Sequence, residues 1–225
     1  KESWMRCLSI DPNQIDCRVK LTNLLCAVRD SNCKLMIDTL AKLQNGIVST
    51  SIIAYLKEMR EYELAIDLLT NLLREQSSNK EVLSLLSLIY SDTIQSNSFF
   101  NIELADQYFT DIINQYPNYF QVYYNYGKHK QNILQYKEAL DLYRKGVELE
   151  VNSKQIFYNM GFCSLELQDY NQAIKYFSSA IEIDNSFLLA YHARAYTYTL
   201  NGNIKQAQFD WKNCLMLNPS YIPAL

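Results

Sequence analysis

The segment 136–149, "YKEALDLYRKGVEL", decides how the rest of the chain is read. Its apolar residues recur at spacings of three and four, which is the stripe of an amphipathic helix. Thirty-four residues on, "YNQAIKYFSSAIEI" at 170–183 repeats the phrase. Tyr136, Ala139, Tyr143, Gly146 and Leu149 are matched by Tyr170, Ala173, Phe177, Ala180 and Ile183, and again by Ile204, Ala207, Trp211, Cys214 and Leu217. A fixed offset of this size is the mark of a repeat architecture. Working backward, Tyr62, Ala65, Leu69 and Leu72 fit the same template, as do Ala105, Phe109, Ile112 and Pro117.

The two ends of the chain also echo each other. "SWMRCLSIDPNQ" at 3–14 and "FDWKNCLMLNPSY" at 209–221 align on Trp4 and Trp211, with Cys7 or Cys214 three residues later and Pro12 or Pro219 beyond. Five glycines and four prolines leave little room for a loop-rich or all-β chain. The expected fold is all-α.

With this period and these landmarks, the sequence resembles the tetratricopeptide repeat family, whose unit is a 34-residue helical hairpin. That pattern sets bulky residues at positions 4, 7, 11, 17 and 24, small ones at 8, 20 and 27, and often proline at 32. In 188–221 these places are met by Tyr191, Ala195, Tyr198, Ala207, Trp211, Cys214 and Pro219. In 154–187 they are met by Phe157, Met160, Gly161, Tyr170, Ala173, Phe177 and Ala180, and in 120–153 by Tyr123, Tyr126, Gly127, Tyr136, Ala139, Tyr143 and Gly146. The resemblance implies a right-handed α-α superhelix, a tetratricopeptide solenoid of about five clear repeats spanning 1–225. Small residues at 8, 20 and 27 would let helix backbones approach closely, since added methylenes overpack such contacts. On this reading Cys7 and Cys214, both at position 27, are small packing residues.

The N-terminal units depart from the pattern. Residues 46–79 keep Ile52, Leu56, Tyr62 and Ala65 but put Leu72 at the third small position, and 80–119 run six longer, with the excess near 91–101 in "SDTIQSNSFFNI". Residues 15–45 are three short and lack the alanine at position 20. Lys1 falls partway into a repeat, so 1–14 read as the second half of one, and "IPAL" at 222–225 reads as the start of another. With no polar capping helix in view, the chain is expected to be a window on a longer array.

Charge and composition limit function. The chain has 225 residues, 48% of them hydrophobic and 20% charged, with a net charge of -3. That is the profile of a globular protein without an electrostatic pull toward nucleic acid or membrane lipid. No apolar run approaches a membrane span, and no basic segment leads into an apolar stretch at the N-terminus. The six cysteines, Cys7, Cys17, Cys26, Cys33, Cys163 and Cys214, form no CxxC pair, and there is no Asn-x-Ser/Thr sequon. Free thiols in a reducing compartment are therefore expected over structural disulfides, and no metal site or cofactor is expected. His129, in "GKHKQ", reads as part of a solvated face rather than as a general base, and His192 has no triad partners at a telling spacing. There is no phosphate-binding glycine loop. The chain is expected not to be an enzyme.

In the family, positions 2, 5, 9 and 12 of the first helix line a concave groove. Here they are Gln121, Tyr124, Lys128 and Gln131, then Gln155, Tyr158, Phe162 and Leu165, then Leu189, His192, Tyr196 and Thr199. Together with Asn159 they make an aromatic and polar surface suited to a helical or extended protein segment. An aromatic at position 5 has a second reading, packing against the neighbouring repeat. The family's clamp for chaperone C-terminal tails needs Lys and Asn, then Asn, then Lys and Arg, at sites held here by Tyr124, Lys128, Asn159, Leu189 and Ala193. Only Asn159 matches, and a desolvated carboxylate would go uncompensated, which argues against chaperone tails as partners.

Two functional classes follow from the resemblance. One is a non-catalytic scaffold for a multiprotein assembly, expected in the cytoplasm with the cilium as one setting beside trafficking and cell-cycle assemblies, since the bias toward Asn, Ile, Tyr, Lys and Gln is that of an AT-rich eukaryotic microbe. The other is the substrate-recruiting or autoinhibitory arm of a larger enzyme, of protein phosphatase or O-linked sugar transferase type. The scaffold is the preferred reading.

Overall fold

In the computed structural model, residues 2–11, 15–27, 32–33, 35–37, 39, 57, 61–75, 79–93, 98–149 and 152–221 are described. Every regular element among them is an α-helix. The chain divides into two compact units, Lys1–Tyr116 and Pro117–Leu225.

The first unit holds α1 (Glu2–Ile10), α2 (Ile15–Ala27), α3 (Tyr62–Glu75), α4 (Lys80–Tyr90) and α5 (Ile102–Gln115). The i, i+3, i+4 stripe of α3 puts Tyr62, Ala65, Leu69 and Leu72 inside, where they meet Val82, Leu86 and Ile89 of α4. Side chains mark the helix starts. Asn79 Oδ1 accepts from the Val82 N–H at 3.2 Å and Asn101 Oδ1 from the Leu104 N–H at 3.0 Å, each satisfying a backbone donor that the helix leaves over. The long connection after α4 is closed at its base, where the Asn101 N–H donates to the Tyr90 carbonyl at 2.9 Å. The expected first helix of 46–79, with Ile52 and Leu56, and the stub at 222–225 lie outside the described residues.

The cysteines of this unit correct the free-thiol expectation. Cys7 of α1 is joined to Cys17 of α2, and Cys33 is disulfide-bonded as well. Linear spacing concealed the pair because proximity comes from the fold: the α1–α2 hairpin brings the two Cα atoms to 6.4 Å, within bridging distance. Cys7 is therefore a crosslink rather than a small packing residue, and α1 buries none of its side chains.

The second unit is the regular one. It runs α6 (Phe120–Asn132), α7 (Tyr136–Leu149), α8 (Lys154–Glu166), α9 (Tyr170–Ile183), α10 (Leu188–Leu200) and α11 (Ile204–Leu217). Consecutive helices pack as antiparallel hairpins, and the first helices α6, α8 and α10 also touch one another. Ala139, Ala173 and Ala207, the landmarks of the 34-residue period, are all buried, as are Ala180, Ala195 and Cys214. The small residue at position 8 has a specific reason. A Cβ added at Gly161 would lie 2.5 Å from the Phe177 ring, and one at Gly127 would lie 2.5 Å from the Tyr143 ring. Both rings are fully buried and have nowhere to retreat.

Each hairpin turns in the same way. The N–H groups of Leu134 and Gln135 return to the carbonyls of Gln131 and Lys130, those of Gln168 and Asp169 to Leu165 and Ser164, and those of Gly202 and Asn203 to Thr199 and Tyr198. This is the Schellman closure, which needs a left-handed residue at its first position. Leu134, Gln168 and Gly202 take it, with φ of 65°, 61° and 77°. Only glycine does so without steric cost. Because Leu134 is exposed, Leu134→Gly is expected to raise stability by about 0.5 kcal/mol, read as a higher urea midpoint at unchanged slope.

Candidate functional site

The candidate surface lies on α6, α8 and α10, the first helices of the second unit. Of the ten residues expected there, Gln121, Lys128, Gln155 and Tyr196 are exposed. The other six are half-buried, and their contacts differ.

Tyr158 packs between Phe177 and Phe187, with ring centroids 5.7 and 5.4 Å away, and burial raises its phenol pKa. Phe162 meets Tyr136 edge-on at 6.4 Å. His192 sits edge-on to Trp211 at 5.0 Å and to Tyr221 at 5.6 Å, and burial lowers its pKa, favouring the neutral ring. Tyr124 lies against the core formed by Ala139, Tyr143, Ile156 and Met160.

Gln131 and Asn159 join one polar network. The Tyr143 hydroxyl donates to Gln131 Oε1 at 3.0 Å and accepts from Asn159 Nδ2 at 3.3 Å, while Cys163 Sγ reaches the same Gln131 oxygen at 3.7 Å. Asn159, the one residue shared with the chaperone-tail clamp, is thus engaged internally. Burial pushes the Cys163 thiol up to about 12 and that of Cys214 to about 11, which leaves both protonated and unreactive at neutral pH.

His129 corrects its reading as a solvated residue: it is buried, and its ring stacks on Tyr126 at 6.3 Å. Its neighbour Lys130 is buried too, with the ammonium reaching Glu138 at 3.1 Å and Gln135 at 2.9 Å. The period carried the signal. One repeat later the equivalents of His129 are Cys163 and then Thr197, both inward-facing and buried, whereas the two flanking lysines suggested solvent.

A second feature was not legible beforehand. Arg194 of α10 makes a two-point ion pair with Asp210 of α11, Nε to Oδ2 at 2.7 Å and Nη2 to Oδ1 at 2.8 Å, and Nη1 donates to Ser178 Oγ of α9 at 2.8 Å. Its guanidinium also lies over the Tyr191 and Tyr198 rings. The clue was an aspartate between Phe209 and Trp211, at the position where the two preceding repeats carry Leu142 and Tyr176. Among the described residues no cluster of three His, Cys, Asp or Glu groups could hold a metal, and no helix is long and apolar enough to cross a membrane.

Small residues under aromatic ones, hairpin on hairpin at a 34-residue period, define in the second unit a helical-repeat fold of the tetratricopeptide type. The tetratricopeptide repeat family model matches residues 155–187 and 188–221, so these two hairpins are tetratricopeptide repeats. The fold of the chain is shared with a crystal structure of MamA, at a TM-score of 0.68 and 18% identity over 78% of this chain and 99% of that one. MamA from residue 41 onward, from Desulfovibrio magneticus RS-1, gives 0.67 and 18% over 76% and 93%. At this identity the likeness shows the fold. No curated protein matches the sequence.

Proposed function

We propose that this chain is a non-catalytic scaffold that holds protein partners on the face formed by its first helices. The observation that carries the reading is the alignment of α6, α8 and α10 beside one another. Equivalent positions then form rows: Gln121, Gln155 and Leu189 in one, Lys128, Phe162 and Tyr196 in another, mostly exposed. The rows present amide, aromatic and aliphatic groups with a single charge, a mixture that suits a helical or extended peptide more than a phosphate or a carboxylate tail. The half-buried Tyr124, Tyr158, Asn159, Phe162, Gln131 and His192 form the floor, held in place by the contacts described above, and a rigid floor lowers the ordering cost of binding. The setting proposed is a multiprotein assembly.

The test uses photo-crosslinking side chains placed at Gln155 and Tyr196, with Lys175 on a second helix as control, in the full chain in its own cells. Partner adducts are expected at 155 and 196 and not at 175, and Tyr196→Ala should weaken capture about tenfold. Adducts confined to position 175 would remove the first-helix face from consideration. Tyr158→Ala is a poor probe, because it also opens the contact with Phe177 and Phe187.

A further inference from the structure

The exposed face of α11 breaks the repeat pattern. Lys205, Phe209, Lys212 and Met216 are spaced four, three and four apart, which sets them in one line along the helix. All four are exposed, Phe209 at 65% and Met216 at 71%. At the position of Phe209 the two preceding repeats carry Asp141 and Lys175, and at that of Met216 they carry Glu148 and Glu182, all exposed. Two charged surface positions have thus become large and apolar in one repeat.

A following repeat would not cover them, and the chain supplies its own control. α10 packs on α9 through Ala180, Ile181 and Ala190, yet Lys175 and Glu182 on α9 stay exposed. A helix stacked on α11 in that register would leave Phe209 and Met216 in water as well.

The charge around them is one-sided. Asp210, the only acid of α11, is buried against Arg194, and neither Lys205 nor Lys212 takes part in an ion pair among the described residues. An open cleft beside Phe209, between Tyr198 and Lys205, has the mutually neutralised Arg194 and Asp210 in its wall, so the uncompensated charge there is that of Lys205. A chain of net charge -3 therefore shows here a local strip of two cations alternating with two apolar side chains.

We propose that this strip docks an acidic amphipathic helix of a partner protein, its aliphatic side chains on Phe209 and Met216 and its carboxylates on Lys205 and Lys212. Such a helix lying nearly parallel to α11 keeps contact over three turns, in the manner of a coiled-coil seam. The site is separate from the first-helix face and stands or falls independently of it.

The probe is a fluorescein-labelled helix of about 20 residues with Leu at its seam positions and Glu on the flanks, titrated into the full chain by anisotropy beside a twin carrying Lys in place of Glu. The Glu helix is expected to bind and the Lys helix not to. Phe209→Asp with Met216→Asp should weaken binding at least about tenfold, and Lys205→Glu with Lys212→Glu should reverse the preference. All four side chains are exposed, so helicity and melting temperature should hold. Failure of the Glu helix to bind, equal affinity for the two probes, or loss only on Tyr196→Ala would overturn the proposal. So would a concentration-dependent dimer abolished by Phe209→Asp, which would give the face to a second copy of this chain.

Discussion

Asp210→Ala is expected to cost the second unit about 3 kcal/mol, seen as a fall of roughly 10 °C in melting temperature. Asp210 is 1% exposed and its two oxygens occupy Nε and Nη2 of Arg194. Alanine would strand a guanidinium that is itself largely buried between α9, α10 and α11. Most of the loss is the cost of the abandoned charge rather than the net worth of the pair, so the double replacement Arg194→Met with Asp210→Leu should recover the greater part of it. Thermal and urea melts followed by circular dichroism on the two singles and the double decide the matter. A loss under about 1 kcal/mol for Asp210→Ala would mean that the pair is solvated and contributes little.

The other large effect is expected at Phe177. This ring is completely buried, touches Tyr158, and lies over the backbone of Gly161. Phe177→Ala should destabilise by about 3–5 kcal/mol through lost burial and the cavity left behind. Gly161→Ala alone should also destabilise, by about 1–2 kcal/mol, because overpacking against the ring exceeds what alanine gains as a helix former. In the double variant the new methyl enters space that the ring has vacated. The two changes should then combine to less than their sum by at least about 1 kcal/mol. Strict additivity would show that Gly161 is not small on account of the ring. Tyr143 over Gly127 is the same arrangement one repeat earlier.

The small residue at position 8 and the aromatic at position 24 were each readable from the chain, since both recur in all three regular repeats. The sequence pointed to close backbone approach, however, and only the structure shows that it is the ring that lies over the small residue. Other features resisted for physical reasons. His129 was misread because two flanking lysines outweighed its register with Cys163 and Thr197; yet Lys130 is itself buried along its stem, with only its ammonium led out to Glu138. The Cys7–Cys17 bond escaped because ten residues of separation say nothing about proximity until a hairpin turn is placed between them. In the candidate groove, Tyr158 and Tyr196 share a residue type, but one is enclosed by Phe177 and Phe187 and the other stands in solvent.

The amino-acid sequence by itself determined the repeat length, the all-α class and the set of small residues on which the helices close, because these follow from periodic burial and need only the spacing along the chain. Which aromatics face solvent, which cysteines pair and which charges are taken inside were decided by tertiary structure. Those outcomes depend on what a second helix, distant in sequence, brings to within a few ångströms, and the periodicity of one helix carries no record of its neighbour's side chains.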